Sequence, residues 1–280
     1  KNDEQTLFLF HRKPRKAPSM LATNVFKQKL AARHVQIGLW STLSHPYVVE
    51  LLAGAGFNWI MLDNEHTPSD PILSLSLLQA VAAAGAAGAQ PVVRPAANDP
   101  ILIKRYLDLG TQTLLLPMID APQDAELAVE AIRYPPRGHR GTSSAVRASQ
   151  FGRDKEFLVH AEDNTCLLVQ IETVEALDNL EAIAAVDGVD GLLVGPSDLA
   201  ASLGLRGQMD HPELLAAVDH AISRIVACGK AAGVLVQDPA RAQRCLSLGA
   251  TFVAVGVDQV LLRNAADQLA ASYTSSASKA

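Results

Sequence analysis

Eight short apolar runs recur along the chain, at residues 35–40, 57–63, 90–94, 113–118, 166–172, 191–196, 231–236 and 252–257. Most are near-continuous rather than alternating, the pattern of parallel strands covered on both faces. Helical stretches separate them. In 46–53 the apolar positions are Val48, Val49, Leu51 and Leu52, with Gly54 or Gly56 as a stop. The segment 71–87 is rich in Leu and Ala, and 99–109 follows the cap candidates Asn98 and Asp99, carries Pro100 in its first turn and ends at Gly110. Further helices are expected at 121–133, 173–185, 211–228, 239–248 and 258–272. Eight strand–helix alternations predict an α/β fold, a single-domain (β/α)8 TIM barrel over residues 20–280. An open doubly wound sheet accommodates the same alternation but usually has fewer strands.

Two segments break the rhythm. Residues 134–164 separate the fourth helix from the fifth strand. A connection of this length is uncommon without a function, so it is expected to be an active-site cover or an intersubunit loop, a plain surface excursion being the alternative. At the other end, residues 1–20 carry five basic and two acidic side chains, leaving a net charge of −8 on the remainder. The apolar run at 6–10 is too short, and lacks the following cleavage site, for a secretory signal. Residues 1–19 are therefore set apart as a leader, appended or loosely ordered, outside the fold.

Composition narrows the function. With 49% hydrophobic and 19% charged residues, the chain can bury an ordinary core, which excludes disorder for most of its length. A net charge of −5 argues against a nucleic-acid partner. Three cysteines, Cys166, Cys228 and Cys245, are odd in number and lack metal-ligand spacing. They point to a reducing compartment, the cytoplasm, rather than to a disulfide scaffold. The longest apolar stretch, near 81–89, is too short to span a bilayer, so no membrane partner is expected.

In a (β/α)8 barrel the active site forms at the C-terminal ends of the strands. There the second strand ends in Asp63-Asn64-Glu65-His66, the third in Arg94, the fifth in Gln170-Ile171-Glu172 and the sixth in Gly195-Pro196-Ser197-Asp198. Glu172 and Asp198 are 26 residues apart, one strand–helix unit. That places them at the same end of neighbouring strands, which run about 4.8 Å apart. Two carboxylates so close repel unless protonated, paired or bridged by a cation. With waters or substrate oxygens they suit a hard divalent ion such as Mg²⁺ or Mn²⁺; both positions equally suit helix caps. His66 is a candidate general acid/base, or else a structural histidine. Arg94 is placed to stabilise a developing enolate oxygen, or to form a structural salt bridge. The turn at 195–198 offers backbone N–H groups to a substrate carboxylate. Asp108 reads equally as a surface residue or as a carboxylate that orients an imidazole.

The tip Asp63-Asn64-Glu65-His66-Thr67-Pro68 is joined by PVVRP at 91–95, NDP at 98–100, GTQTLLLPM at 110–118 and RYPPRGHRG at 133–141. LVQIET at 168–173, VDGVDGLLVGPSDL at 186–199 and FVAVGVD at 252–258 follow in order. Over about 24–269 the chain resembles the HpcH/HpaI aldolases, class II metal-dependent pyruvate aldolases acting on 4-hydroxy-2-oxoheptanedioate or 2-keto-3-deoxy-L-rhamnonate. The resemblance implies reversible aldol cleavage of a 4-hydroxy-2-keto acid to pyruvate, or a related acid such as hydroxypyruvate, and an aldehyde through a metal-stabilised enolate. It implies Glu172 and Asp198 as ligands of a divalent cation (Mg²⁺, Mn²⁺ or Co²⁺), with Gln170, Ser197 and Asp198 on the keto acid. Arg94 would serve the enolate, His66 supported by Asp108 the aldol hydroxyl, and Leu235 the aldehyde pocket. It also implies a homohexamer, a trimer of dimers, with Arg147 near a subunit boundary and the last helix on a neighbour. Departures from the pattern are Asn64 where Gly is expected, Ser197 where Ala is expected, and Ser44-His45-Pro46, where His45 would line the mouth. A lyase acting on acyl-CoA esters would call for a basic patch near the mouth, which the sequence does not show. A non-catalytic keto-acid-binding barrel would not need the whole set.

Overall fold

The structure, a computed structural model, describes residues 23–277 except 86; the leader expected at 1–19 lies outside the described residues. Eight parallel strands close into a barrel in sequence order. They are β1 (Gln36–Ser41), β2 (Trp59–Asp63), β3 (Gln90–Arg94), β4 (Thr113–Leu116), β5 (Cys166–Ile171), β6 (Gly191–Val194), β7 (Ala231–Leu235) and β8 (Phe252–Val257). The helices are α1 (Val25–Ala31), α2 (Pro46–Ala53), α3 (Pro71–Ala83), α4 (Pro100–Asp108), α5 (Pro122–Ile132), α6 (Phe157–His160), α7 (Val174–Asp178), α8 (Leu180–Ala185), α9 (Pro196–Ser202), α10 (Pro212–Ala227), α11 (Pro239–Ser247) and α12 (Asp258–Ala277). All eight expected strands form. The expected helix at 173–185 breaks at Asn179 into α7 and α8, and α9 adds a turn that the periodicity did not announce.

The apolar side chains form two layers. One lies between the strands and the outer helices, the other inside the barrel. Phe26, Trp59 and Phe252 meet edge to face at centroid distances of 6.0–6.3 Å and fill the barrel's N-terminal end. The fit depends on two glycines: a Cβ on Gly38 or Gly233 would stand 2.1 Å from the Trp59 or Phe252 ring. α1 seals that end, where Asn24 caps the helix and donates to Gln112 O, Thr113 Oγ1 and Asn164 O at 3.0–3.1 Å.

The long connection corrects one expectation. It joins the C-terminus of α5 to the start of β5, and helices run back against the strands. It therefore lies at the N-terminal face, opposite the mouth, and cannot cover the active site of its own chain. There Tyr134, Ala148, Phe157 and Ala161 form a small cluster, Arg147 donates to Leu109 O, and Arg140 pairs with Asp108 at 2.9 Å. The segment clamps the end of α4.

Candidate active site

The strand ends bring their polar residues into one hydrogen-bonded network. Arg94, at the tip of β3, reaches across to Asp63 at the tip of β2 with two donors, Nε to Oδ1 at 3.0 Å and Nη2 to Oδ2 at 2.7 Å. The strand register pairs these two residues directly. Trp40 Nε1 donates to Asp63 Oδ2 at 3.2 Å, and the guanidinium carbon lies 4.8 Å from the Trp40 ring centre. The remaining arm of Arg94 faces Glu65 Oε2 at 2.8 Å and donates to Gln170 Oε1 at 3.5 Å. Gln170 in turn donates to Glu172 Oε2, and the backbone N–H of Met118 donates to Glu172 Oε1 at 2.7 Å. Arg94, Asp63, Gln170 and Glu172 are all buried.

Glu172 packs against the turn that carries Asp198. A Cβ at Gly195 would lie 2.9 Å from both Cβ and Oε2 of Glu172, so the absence of a side chain there lets the carboxylate in. Asp198 and Ser197 sit exposed in the first turn of α9.

The charges of these groups act on one another. Burial raises Asp63, but the hydrogen bonds and charge of Arg94 outweigh it and hold the carboxyl below its usual range. Glu65 is raised by burial, against Arg94 and His66, with Asp63 and Asp198 adding to the rise. Glu172 is pushed up to about 6 by burial, against the Met118 and Gln170 hydrogen bonds, with Asp198 and Glu65 adding to the rise. Four carboxylates, Asp63, Glu65, Glu172 and Asp198, thus act on one another, while Arg94 bears on Asp63 and Glu65 and is already engaged by both Asp63 oxygens. Each Glu172 oxygen keeps a lone pair beyond the N–H it accepts. A divalent cation fits this donor set because it offsets the uncompensated charge and takes hard oxygen ligands. Among the described residues no group of three or more His, Cys, Asp or Glu side chains is arranged as a metal cage. Two carboxylates leave the other positions to water or substrate.

His66 stands exposed on the loop after β2, its Nε2 3.6 Å from Glu65 Oε2. Asp108 is not with it. As the last residue of α4, which runs away from the mouth, Asp108 lies at the opposite end of the barrel on Arg140. Within one chain it cannot orient His66. Leu235 ends β7, half-buried. His45 caps α2, accepting the Tyr47 N–H at 3.3 Å, on the loop after β1. Asn64 turns inward, where its Oδ1 accepts from Ser74 Oγ at 2.7 Å and ties the tip of β2 to α3.

Asp63 and Glu65, to which the sequence assigns no role, do carry a signal: an ionisable residue at the end of an apolar strand. Met118 carried none, because it acts through its backbone. A groove of about 490 Å³ between α5 and α8, lined by Glu126, Glu130, Arg133 and Asp187 among others, contains none of these residues.

The chain matches the HpcH/HpaI aldolase/citrate lyase family over residues 36–265. It is 53% identical over 255 residues to a hydroxypyruvate/pyruvate aldolase of Cupriavidus necator, covering 91% of this chain and 94% of that one. It is 51% identical over 251 residues to a 4-hydroxy-2-oxo-heptane-1,7-dioate aldolase of Shigella sonnei, covering 89% and 95%. A crystal structure of an HpcH/HpaI aldolase/citrate lyase family protein from Burkholderia cenocepacia superposes with a TM-score of 0.85 at 39% identity, covering 88% of this chain and 98% of that one.

Proposed function

The chain belongs to the HpcH/HpaI aldolase/citrate lyase family, and we propose a mechanism for its site on that basis. It is a carbon–carbon lyase that cleaves 4-hydroxy-2-keto acids reversibly to a 2-keto acid, pyruvate or hydroxypyruvate, and an aldehyde. The observation that carries the mechanism is the buried Glu172 carboxyl, within electrostatic reach of Asp198 and of Glu65 and short of positive charge.

Glu172 and Asp198 would hold a divalent cation, Mg²⁺, Mn²⁺ or Co²⁺, which when bound would supply Lewis-acid polarisation of the keto acid's oxygens. Gln170, Asp198 and the backbone at Ser197 hold the keto acid in register with Arg94. The guanidinium, already fixed by Asp63 and Trp40, neutralises charge as it develops on the enolate oxygen, with little reorganisation. His66 takes the proton from the aldol hydroxyl as the C3–C4 bond breaks and returns it in the condensation direction. Leu235 lines the aldehyde side.

If Asp108 orients an imidazole, it belongs to another copy of the chain, because its own His66 is at the far end of the barrel. α12 supports association. Leu261, Leu262, Leu269 and Tyr273 are each at least 50% exposed along it, more large apolar surface on one helix than a lone chain keeps at no cost. A hexamer of paired dimers is the assembly proposed. Among the described residues no helix is long and apolar enough to cross a membrane. The three free cysteines favour the cytoplasm.

The test is pyruvate release from a 4-hydroxy-2-keto acid before and after chelation. Stripping with EDTA abolishes release and Mg²⁺ or Mn²⁺ restores it; full turnover by the stripped protein overturns the mechanism.

A further inference from the structure

Asp258 follows β8 and begins α12, and its carboxylate is buried. Five donors converge on it. Oδ1 accepts from Thr42 N at 2.9 Å, Thr42 Oγ1 at 2.8 Å and Gln259 N at 2.7 Å. Oδ2 accepts from Ser41 Oγ at 2.8 Å and Leu43 N at 3.2 Å. Four of the five donors come from the end of β1 and the loop after it. That loop continues through Ser44, left-handed at φ 51°, to His45, which starts α2. A single carboxylate therefore fixes the course of the β1–α2 loop.

The barrel order says what the loop faces. In a closed ring of eight strands in sequence order, β1 lies half a turn from β5 and β2 half a turn from β6. Glu172 and Asp198 end β5 and start the turn after β6; the β1 loop and His66 stand on the opposite wall. That wall is therefore the one across the mouth from a keto acid held, as proposed above, at Glu172 and Asp198.

We propose that Asp258 is a positioning residue for aldehyde selection, setting the β1–α2 loop as the wall against which the aldehyde half of the substrate packs. This rests on the aldolase mechanism above. It makes no demand on the keto-acid half, whose residues Asp258 does not touch.

Asp258→Asn separates the two halves. The amide retains one oxygen, which best serves the three donors on the Oδ1 side. Its NH₂ then faces the Leu43 N–H and leaves that donor unpaired. The expected result with Mg²⁺ is a rise of about tenfold in KM for glycolaldehyde or propanal in condensation with pyruvate, the loss of a single buried hydrogen bond. Exchange of the pyruvate methyl protons into D₂O, which needs no aldehyde, stays at the wild-type rate, as does KM for pyruvate. Thr42→Val, which removes one donor and spares the carboxylate, gives a smaller rise in the same constant. Aldehyde KM unchanged in both variants overturns the proposal. So does an exchange rate that falls in step with condensation, the signature of general damage. Amide hydrogen exchange tests the anchor apart from activity: Thr42 and Leu43 lose protection in Asp258→Asn while the strand amides keep theirs, and unaltered protection overturns the anchoring role. Absence of methyl exchange in the wild-type protein counts against the aldolase mechanism instead.

Discussion

The backbone N–H of Met118 donates to Glu172 Oε1 at 2.7 Å, and Met118 holds a φ of 53°. A non-glycine residue in the left-handed region is uncommon and strained, and such strain gathers at functional sites. Here the unusual backbone carries the donor that fixes a buried carboxylate. Met118→Gly keeps the conformation without its steric cost and is expected to leave Mn²⁺ affinity near wild type. Met118→Val puts a β-branched residue there and is expected to cost about 1–3 kcal/mol and weaken Mn²⁺ binding. Calorimetric titration with Mn²⁺ beside thermal melts of both variants checks this.

The raised Glu172 carboxyl makes metal-free stability depend on pH. Its ordinary value is 4.5 and burial takes it to about 6. Between these values the folded chain binds more protons than the unfolded one, so stability falls as pH rises through the window and stays lower above it. One such group accounts for roughly 2 kcal/mol. EDTA-treated protein should therefore lose thermal stability from pH 4.5 to 6, Mg²⁺ should restore it above pH 6, and Glu172→Gln should lack this component. Titrating the metal in buffers of different ionisation enthalpy should show a proton released per ion at pH 5.5 that is absent at pH 7.5.

What was legible in the sequence follows from chemistry that repeats. The strands were readable because burial on both faces demands apolar runs, as in Leu167, Leu168 and Val169 of β5. Glu172 stood out in the sequence because a carboxylate ending an apolar run must answer for its burial, and the structure buries it. Direction along the barrel was harder. The connection at 134–164 stands out in the sequence for its length, but its place at the far face follows only from which helix ends there. Asp108 shows the same limit: the sequence places it near the end of its helix, but that this end lies across the barrel from its own chain's His66 follows only from the direction of α4. Asn64 departed from the expected Gly, and the cause, a bond to Ser74 ten residues on, is visible only once α3 is packed.

Gly195→Ala tests the close approach of the turn after β6 to Glu172, one of the two proposed metal ligands. Its new Cβ would stand 2.9 Å from Glu172 Oε2 and 3.0 Å from Gln170 Nε2. One of these buried groups must shift, and overpacking of this kind costs about 1–3 kcal/mol. Because the groups that give way belong to the site, Mn²⁺ affinity is expected to fall about tenfold or more while the fold persists. Titration of the variant and its circular dichroism spectrum together decide it.

His66 is the group on which the two halves of the reaction divide. It is largely exposed, stands on the β2 loop, and its Nε2 lies 3.6 Å from Glu65 Oε2. Glu65 Oε2 in turn lies 2.8 Å from Arg94. The imidazole thus borders the charged network without forming part of its buried core. Removing it should leave Glu172, Gln170 and Arg94 where they are. His66→Ala is expected to bind pyruvate with near wild-type affinity in the presence of Mg²⁺, and to exchange the pyruvate methyl protons. It should lose cleavage of a 4-hydroxy-2-keto acid by about 10²–10⁴-fold, the usual contribution of a positioned acid/base. Kinetics of cleavage set beside methyl exchange on the same preparation make the comparison. Cleavage at the wild-type rate would free His66 of the role, and loss of exchange together with cleavage would place it in the keto-acid half.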